Sequence, residues 1–115
     1  MGSEPRRDFP LPLRVDLRRP DGTTTVEYAV NISPSGLCLH LKDFLSEGDR
    51  IRVEFTLPPS GPTVRADASV VWVSCPEAEV EEGRLSEIGV QFGNLEDRVR
   101  RELAEYASQP INRRR

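Results

Sequence analysis

Asn31-Ile32-Ser33-Pro34-Ser35-Gly36-Leu37-Cys38-Leu39 is the stretch on which the reading of this chain turns. On its N-terminal side Thr24, Val26, Tyr28, Val30 and Ile32 recur at a period of two, the pattern of a strand with one buried face. On its C-terminal side Leu37, Leu39 and Leu41 resume the alternation. Ser33-Pro34-Ser35-Gly36 reads as a tight turn, with Gly36 supplying either a positive φ or room for close backbone approach. In this register Asn31 belongs to the outward set with Thr25, Glu27 and Ala29, so an amide and a hydroxyl face outward beside the turn. Taken alone, the ordinary reading is a turn capped by its own Asn and Ser side chains.

The same period extends both ways along the chain. Leu11, Leu13, Val15 and Leu17 make the apolar face of a first strand, with Arg14, Asp16 and Arg18 on the other side, and Arg19-Pro20-Asp21-Gly22 turns into the second strand. A fourth strand carries Ile51, Val53, Phe55 and Leu57. The fifth, from about Thr63 to Ser74, is expected to bury Val64, Ala66, Ala68, Val70 and Trp72, leaving Val71 and Val73 as an outward apolar patch. The glutamate-rich segment from Pro76 to Arg84 reads as a solvated excursion, followed by a sixth strand with Ile88, Val90 and Phe92. Asn94 is the expected N-cap of a helix with Leu95, Val99, Leu103 and Tyr106 on one face, ended by Pro110. The pattern predicts a mainly β protein, a six-stranded antiparallel barrel with one C-terminal α-helix on a mouth or flank. Residues 1–10 are expected to form a flexible arm, 11–107 a single domain, and 108–115 a basic tail ending in Arg113-Arg114-Arg115.

Composition narrows the function. One domain accounts for 115 residues, and a net charge of -3 opposes a protein that coats nucleic acid, although 15 of its 16 basic residues are arginine. An oligonucleotide-binding barrel is further disfavoured by only seven aromatic residues, of which Phe55, Trp72 and Phe92 read as inward-facing. The N-terminus lacks the apolar stretch of a secretory signal, and there is no apolar run of about 18 residues, so a cytoplasmic location is expected. Cys38 and Cys75 read as reduced thiols. Cys38 and His40 share an outward strand face but lack the companions a structural zinc site needs, so no metal is expected. With one histidine, no phosphate loop and no nucleophile paired with a base, the chain is read as no enzyme and without a cofactor.

Arg6 and Arg7 stand 25 and 24 residues upstream of Asn31, ahead of the first strand. With Asn31, Ser33 and Gly36, the Gly36-Leu37-Cys38-Leu39 run, and the late Ile88-Gly89-Val90-Gln91-Phe92 strand leading to an Arg/Glu-rich helix, the chain resembles the PilZ domain over about residues 6–107. That family carries an N-terminal Arg-x-x-x-Arg and an Asp/Asn-x-Ser-x-x-Gly after the second barrel strand. The resemblance implies a PilZ-type β-barrel, cyclic di-GMP as a regulatory ligand often bound as an intercalated dimer, and protein partners in motility or envelope machinery. It makes Arg6, Arg7, Asn31, Ser33 and Gly36 the candidate cyclic di-GMP-binding residues. Arginine suits this ligand, because a planar guanidinium stacks on guanine, bonds its O6/N7 edge and pairs with phosphate.

The chain departs from the pattern in the arm. Counting from Arg6 the second arginine falls on Pro10, and from Arg7 on Leu11; Arg14 and Arg18 have the spacing but lie inside the first strand. Losing one charge-assisted contact costs about 1.5–3 kcal/mol, roughly ten- to a hundredfold in affinity. Leu11→Arg is expected to restore affinity where the rest of the site survives. The sequence therefore predicts a non-catalytic PilZ-domain regulatory or adaptor protein acting through protein–protein contacts, with cyclic di-GMP binding weakened or lost. The Val71/Val73 patch and the Arg98, Arg100 and Arg101 helix face are its expected contact surfaces. The alternative is a functional cyclic di-GMP receptor using Arg6, Arg7 and the Asn-x-Ser-x-x-Gly motif.

Overall fold

The computed structural model describes residues 4–59, 61–74, 83 and 85–109. Six strands, β1 (Arg7–Arg18), β2 (Thr24–Ser33), β3 (Gly36–Leu41), β4 (Arg50–Thr56), β5 (Thr63–Val73) and β6 (Ser86–Phe92), are followed by helix α1 (Asp97–Ser108). All strand pairs are antiparallel and the sheet closes as β1-β2-β3-β6-β5-β4, so the barrel leaves no open sheet edge. The alternating residues fill its interior: Val15, Leu17, Leu37, Leu39, Ile51, Val53, Val64, Val70, Ile88 and Val90 are buried, and Phe55 stacks on Phe92 at 6.2 Å between ring centroids. Leu103 and Ala107 of α1 are buried, and Val99 and Tyr106 pack against the core from the same helix face, while Leu95, expected on that face, packs there from the segment before the helix. The glutamate-rich excursion apart from Gly83, together with Cys75, Pro110 and the Arg113-Arg114-Arg115 tail, lies outside the described residues.

Two bulges overturn the simple alternation. In β2, Ala29 pairs with Leu39 and Asn31 with Cys38, so β2 advances two residues while β3 advances one. Before that bulge the inward residues are Glu27 and Ala29, which are buried; Val26 and Tyr28, expected inside, are exposed. After it the phase flips, placing Asn31 outward and Ile32 in the core. Glu27 tolerates its inward position because Arg19 donates to its carboxylate at 3.0 Å, while also pairing with Asp43 at 2.7 Å. In β5, Val70 pairs with Val90 and Trp72 with Gly89, which places the extra residue at Val71. Trp72 therefore leaves the interior and is exposed, whereas Val73 turns inward against the core. The outward patch is Val71 with Trp72.

Other boundaries shift for local reasons. The first strand begins at Arg7, pairing Arg7 with Ile32 and Asp8 with Asn31, and its register then breaks before Leu13. Leu11, expected in the core, lies in that irregular piece and is 81% exposed. The helix N-cap is Glu96, without a side-chain capping bond, rather than Asn94. No helix of the described residues is long and apolar enough to cross a membrane.

Candidate functional site

The cross-strand registers lay out the site on the barrel's outer surface. Residues directly opposite each other share a face, so Asn31, Cys38, Gly89 and Trp72 form one outward row across β2, β3, β6 and β5. Three strand spacings of about 4.8 Å put its ends ~14 Å apart. Ser33, Gly36, Gln91 and Ser69 form the next row. Over these rows lies an open cleft of about 470 Å3, lined by Arg6, Asn31, Ser33, Gly36, Trp72 and Glu87 among others. That size falls within the range of about 300–1,000 Å3 typical of small-molecule sites.

Each lining group has a local cause. The β2 bulge turns the Asn31 amide outward. Ser33 Oγ accepts the Ser35 backbone N–H at 3.3 Å, which shapes the turn, and Ser35 Oγ donates to Glu4 at 2.6 Å. Gly36 has no positive φ; its role is close approach, since an added Cβ would collide with the Val90 carbonyl across the β3–β6 pairing. Gly89 is likewise obligatory, because the Trp72 indole lies in the space a Cβ would occupy. One indole face rests on Gly89 and the ring remains 42% exposed. Sequence reasoning missed Trp72 as a site residue; the run of apolar residues on both faces of β5, interrupted opposite a glycine, was the available signal.

The two arm arginines part company. Arg6 lines the cleft. Arg7, the next residue in an extended chain, points the other way: its Nη1 donates to the Tyr106 carbonyl at 3.4 Å and to Gln109 at 3.5 Å, and its guanidinium sits 4.3 Å from the Tyr106 ring centroid. Four of the five sequence candidates, Arg6, Asn31, Ser33 and Gly36, thus share the cleft, and Arg7 anchors α1. Arg7→Ala should lower stability by about 1–2 kcal/mol, a fall of roughly 4–8 °C in Tm that thermal melting would register.

Cys38 lies on the outer face yet is buried. Burial pushes its thiol up to about 12, reinforced by a hydrogen bond to Glu87 at 3.1 Å and by that carboxylate's charge, with Arg6 opposing. The folded state therefore favours the neutral thiol; this stabilises the fold below about pH 9 and is lost as pH climbs toward about 12. In a Cys75→Ser background, iodoacetamide at pH 8 should modify folded Cys38 about a thousandfold more slowly than the urea-unfolded chain, as mass spectrometry would show. Glu87 also faces His40 at 3.6 Å, but the described residues contain no group of three metal-ligating side chains.

A second open cleft, about 990 Å3, is lined by Arg18, Arg19, Arg50 and Arg52, with Asp67 paired to Arg52 at 3.0 Å. It adjoins the first where Ser69 pairs with Gln91.

No curated protein matches the chain by sequence. Among solved structures, the inhibitor of motility MotI/DgrA of Bacillus subtilis aligns with a TM-score of 0.70 at 19% identity, covering 93% of this chain and 49% of that one. The PilZ domain of Escherichia coli YcgR, solved with c-di-GMP, aligns at 0.69 and 20% identity, covering 89% and 85%. The MrkH–c-di-GMP complex of K. pneumonia aligns at 0.65 and 20%, covering 91% and 49%. The chain spans about half the length of MotI and of MrkH. The barrel order, the outward Asn-x-Ser-x-x-Gly turn and a PilZ-domain model matching residues 3–109 agree, and the chain belongs to the PilZ domain family.

Proposed function

We propose that this domain is a non-catalytic cytoplasmic regulatory module that binds one cyclic di-GMP weakly in the Trp72 cleft and passes the signal on through protein contacts. The observation that carries this reading is the convergence of Arg6, Asn31, Ser33 and the open face of Trp72 on one cleft. Each suits the ligand: the guanidinium pairs with phosphate or guanine O6/N7, the amide and hydroxyl add directional bonds, and the indole stacks on a purine. With Arg7 committed to α1, the arm brings one arginine to the cleft. Among the described residues Arg6 is the one cation lining the cleft, which favours one doubly anionic nucleotide over an intercalated pair. Cyclic di-GMP accompanies the similar YcgR and MrkH structures.

The arginine-lined cleft favours a second reading, an adaptor that meets acidic partner surfaces in motility or envelope machinery without a nucleotide. Calorimetric titration of the Arg6→Ala and Arg7→Ala variants separates the two. Arg6→Ala should weaken cyclic di-GMP binding at least about tenfold, while Arg7→Ala should leave it within a factor of about three. Equal losses in both variants, or no binding by the unmodified protein at millimolar nucleotide, would count against the nucleotide reading.

A further inference from the structure

Among the described residues Glu87 is the one carboxylate lining the Trp72 cleft, an unexpected group where phosphates are to be held. Its Oε2 accepts the Cys38 thiol at 3.1 Å, and this fixes the carboxylate on the outer face of β6. Burial keeps that thiol protonated, so it remains a donor. Glu87 lies two residues from Gly89, on the same face, and Gly89 carries the Trp72 indole. A purine stacked on the open indole face thus has its edge within reach of a carboxylate one outward position, about 6.6 Å, along the strand.

We infer that Glu87 is the guanine-selecting residue of this cleft, accepting hydrogen bonds from N1–H and N2–H2 on the guanine Watson–Crick edge. The inference rests on the nucleotide reading above. Guanine presents two adjacent donors there, which a carboxylate satisfies; adenine presents a lone pair at N1 beside a single amino donor, which a carboxylate meets with repulsion. A charge-assisted pair of this kind is worth more than a neutral one, and the carboxylate is left facing a lone pair when the wrong base stacks against it. Cys38 acts as a positioning residue that orients the carboxylate without touching the ligand.

The test titrates cyclic di-GMP and cyclic di-AMP into the unmodified protein and into Glu87→Gln, following heat and Trp72 fluorescence. Glutamine keeps an oxygen for the Cys38 thiol, so the fold should survive, but it offers one donor and one acceptor, the complement of adenine. Glu87→Gln should lower affinity for cyclic di-GMP at least about tenfold and raise that for cyclic di-AMP, shrinking the preference between them. Cys38→Ala should reduce the preference less. An unchanged preference in Glu87→Gln, or tighter binding of both nucleotides because a repulsive charge is gone, would overturn the inference and leave the nucleotide reading standing. Binding of neither nucleotide to the unmodified protein would overturn both.

Discussion

Gly36→Ala should destabilise the domain by at least about 3 kcal/mol, lowering Tm by roughly 12 °C or more. The clash is with the Val90 backbone carbonyl, which cannot rotate aside as a side chain can. Relief requires β3 and β6 to separate at the pairing that closes the two halves of the barrel. The same separation moves Ser33 and Gln91 apart in the row that floors the cleft, so ligand binding should fall with stability. Gly22→Ala is the control. Its φ of 91° makes alanine unfavourable there, but the space around it is open, and about 1–2 kcal/mol is expected. Equal melting temperatures for the two variants would contradict the steric account of Gly36.

Pro10→Arg should raise cyclic di-GMP affinity about ten- to a hundredfold, the converse of losing a charge-assisted contact. Sequence spacing leaves two vacant places for the second arm arginine, Pro10 counted from Arg6 and Leu11 counted from Arg7. The structure ranks them: Arg6 lines the cleft and Arg7 is held by Tyr106, so the count starts at Arg6. Pro10 is exposed and lies where the β1 register is broken, so replacing it disturbs no ladder pairing. Leu11 is also exposed, so Leu11→Arg should fold equally well and gain less. A larger gain at Leu11, measured by the same titration, would mean that the arm changes register when the nucleotide binds.

Much of this was legible from the chain. The period-two runs around Leu37–Leu41, Ile51–Leu57 and Ile88–Phe92 describe the barrel as it stands, because in those strands the inward residues are apolar, with Ser86 at the start of β6 the exception. The reading failed where a bulge reverses the face. In β2 the misreading had a physical source, since Val26 and Tyr28 are apolar on the outside while Glu27 is buried, neutralised by Arg19 from a turn that looked unremarkable in sequence. Asn31 was expected to point outward and does, but through the bulge at Val30 and not by continuing the phase of Glu27 and Ala29. In β5 the run Val70 to Val73 is apolar on both faces, so periodicity could not register the flip that brings Trp72 outward. Arg6 and Arg7 looked like a pair because they are adjacent; in an extended chain adjacency sends side chains to opposite faces.

These particulars sharpen the proposal to a nucleotide cleft with an aromatic floor and, among the described residues, one arginine. Trp72 is the only tryptophan in the chain, so its fluorescence reports on that cleft alone. Cyclic di-GMP titrated into the purified domain, with heat and Trp72 emission recorded together, tests this most directly. The account predicts a change in Trp72 emission that saturates with the heat, one nucleotide per domain, and a Kd weaker than about 1 μM. Two nucleotides per domain at submicromolar affinity, or no response from Trp72 at millimolar nucleotide, would contradict it.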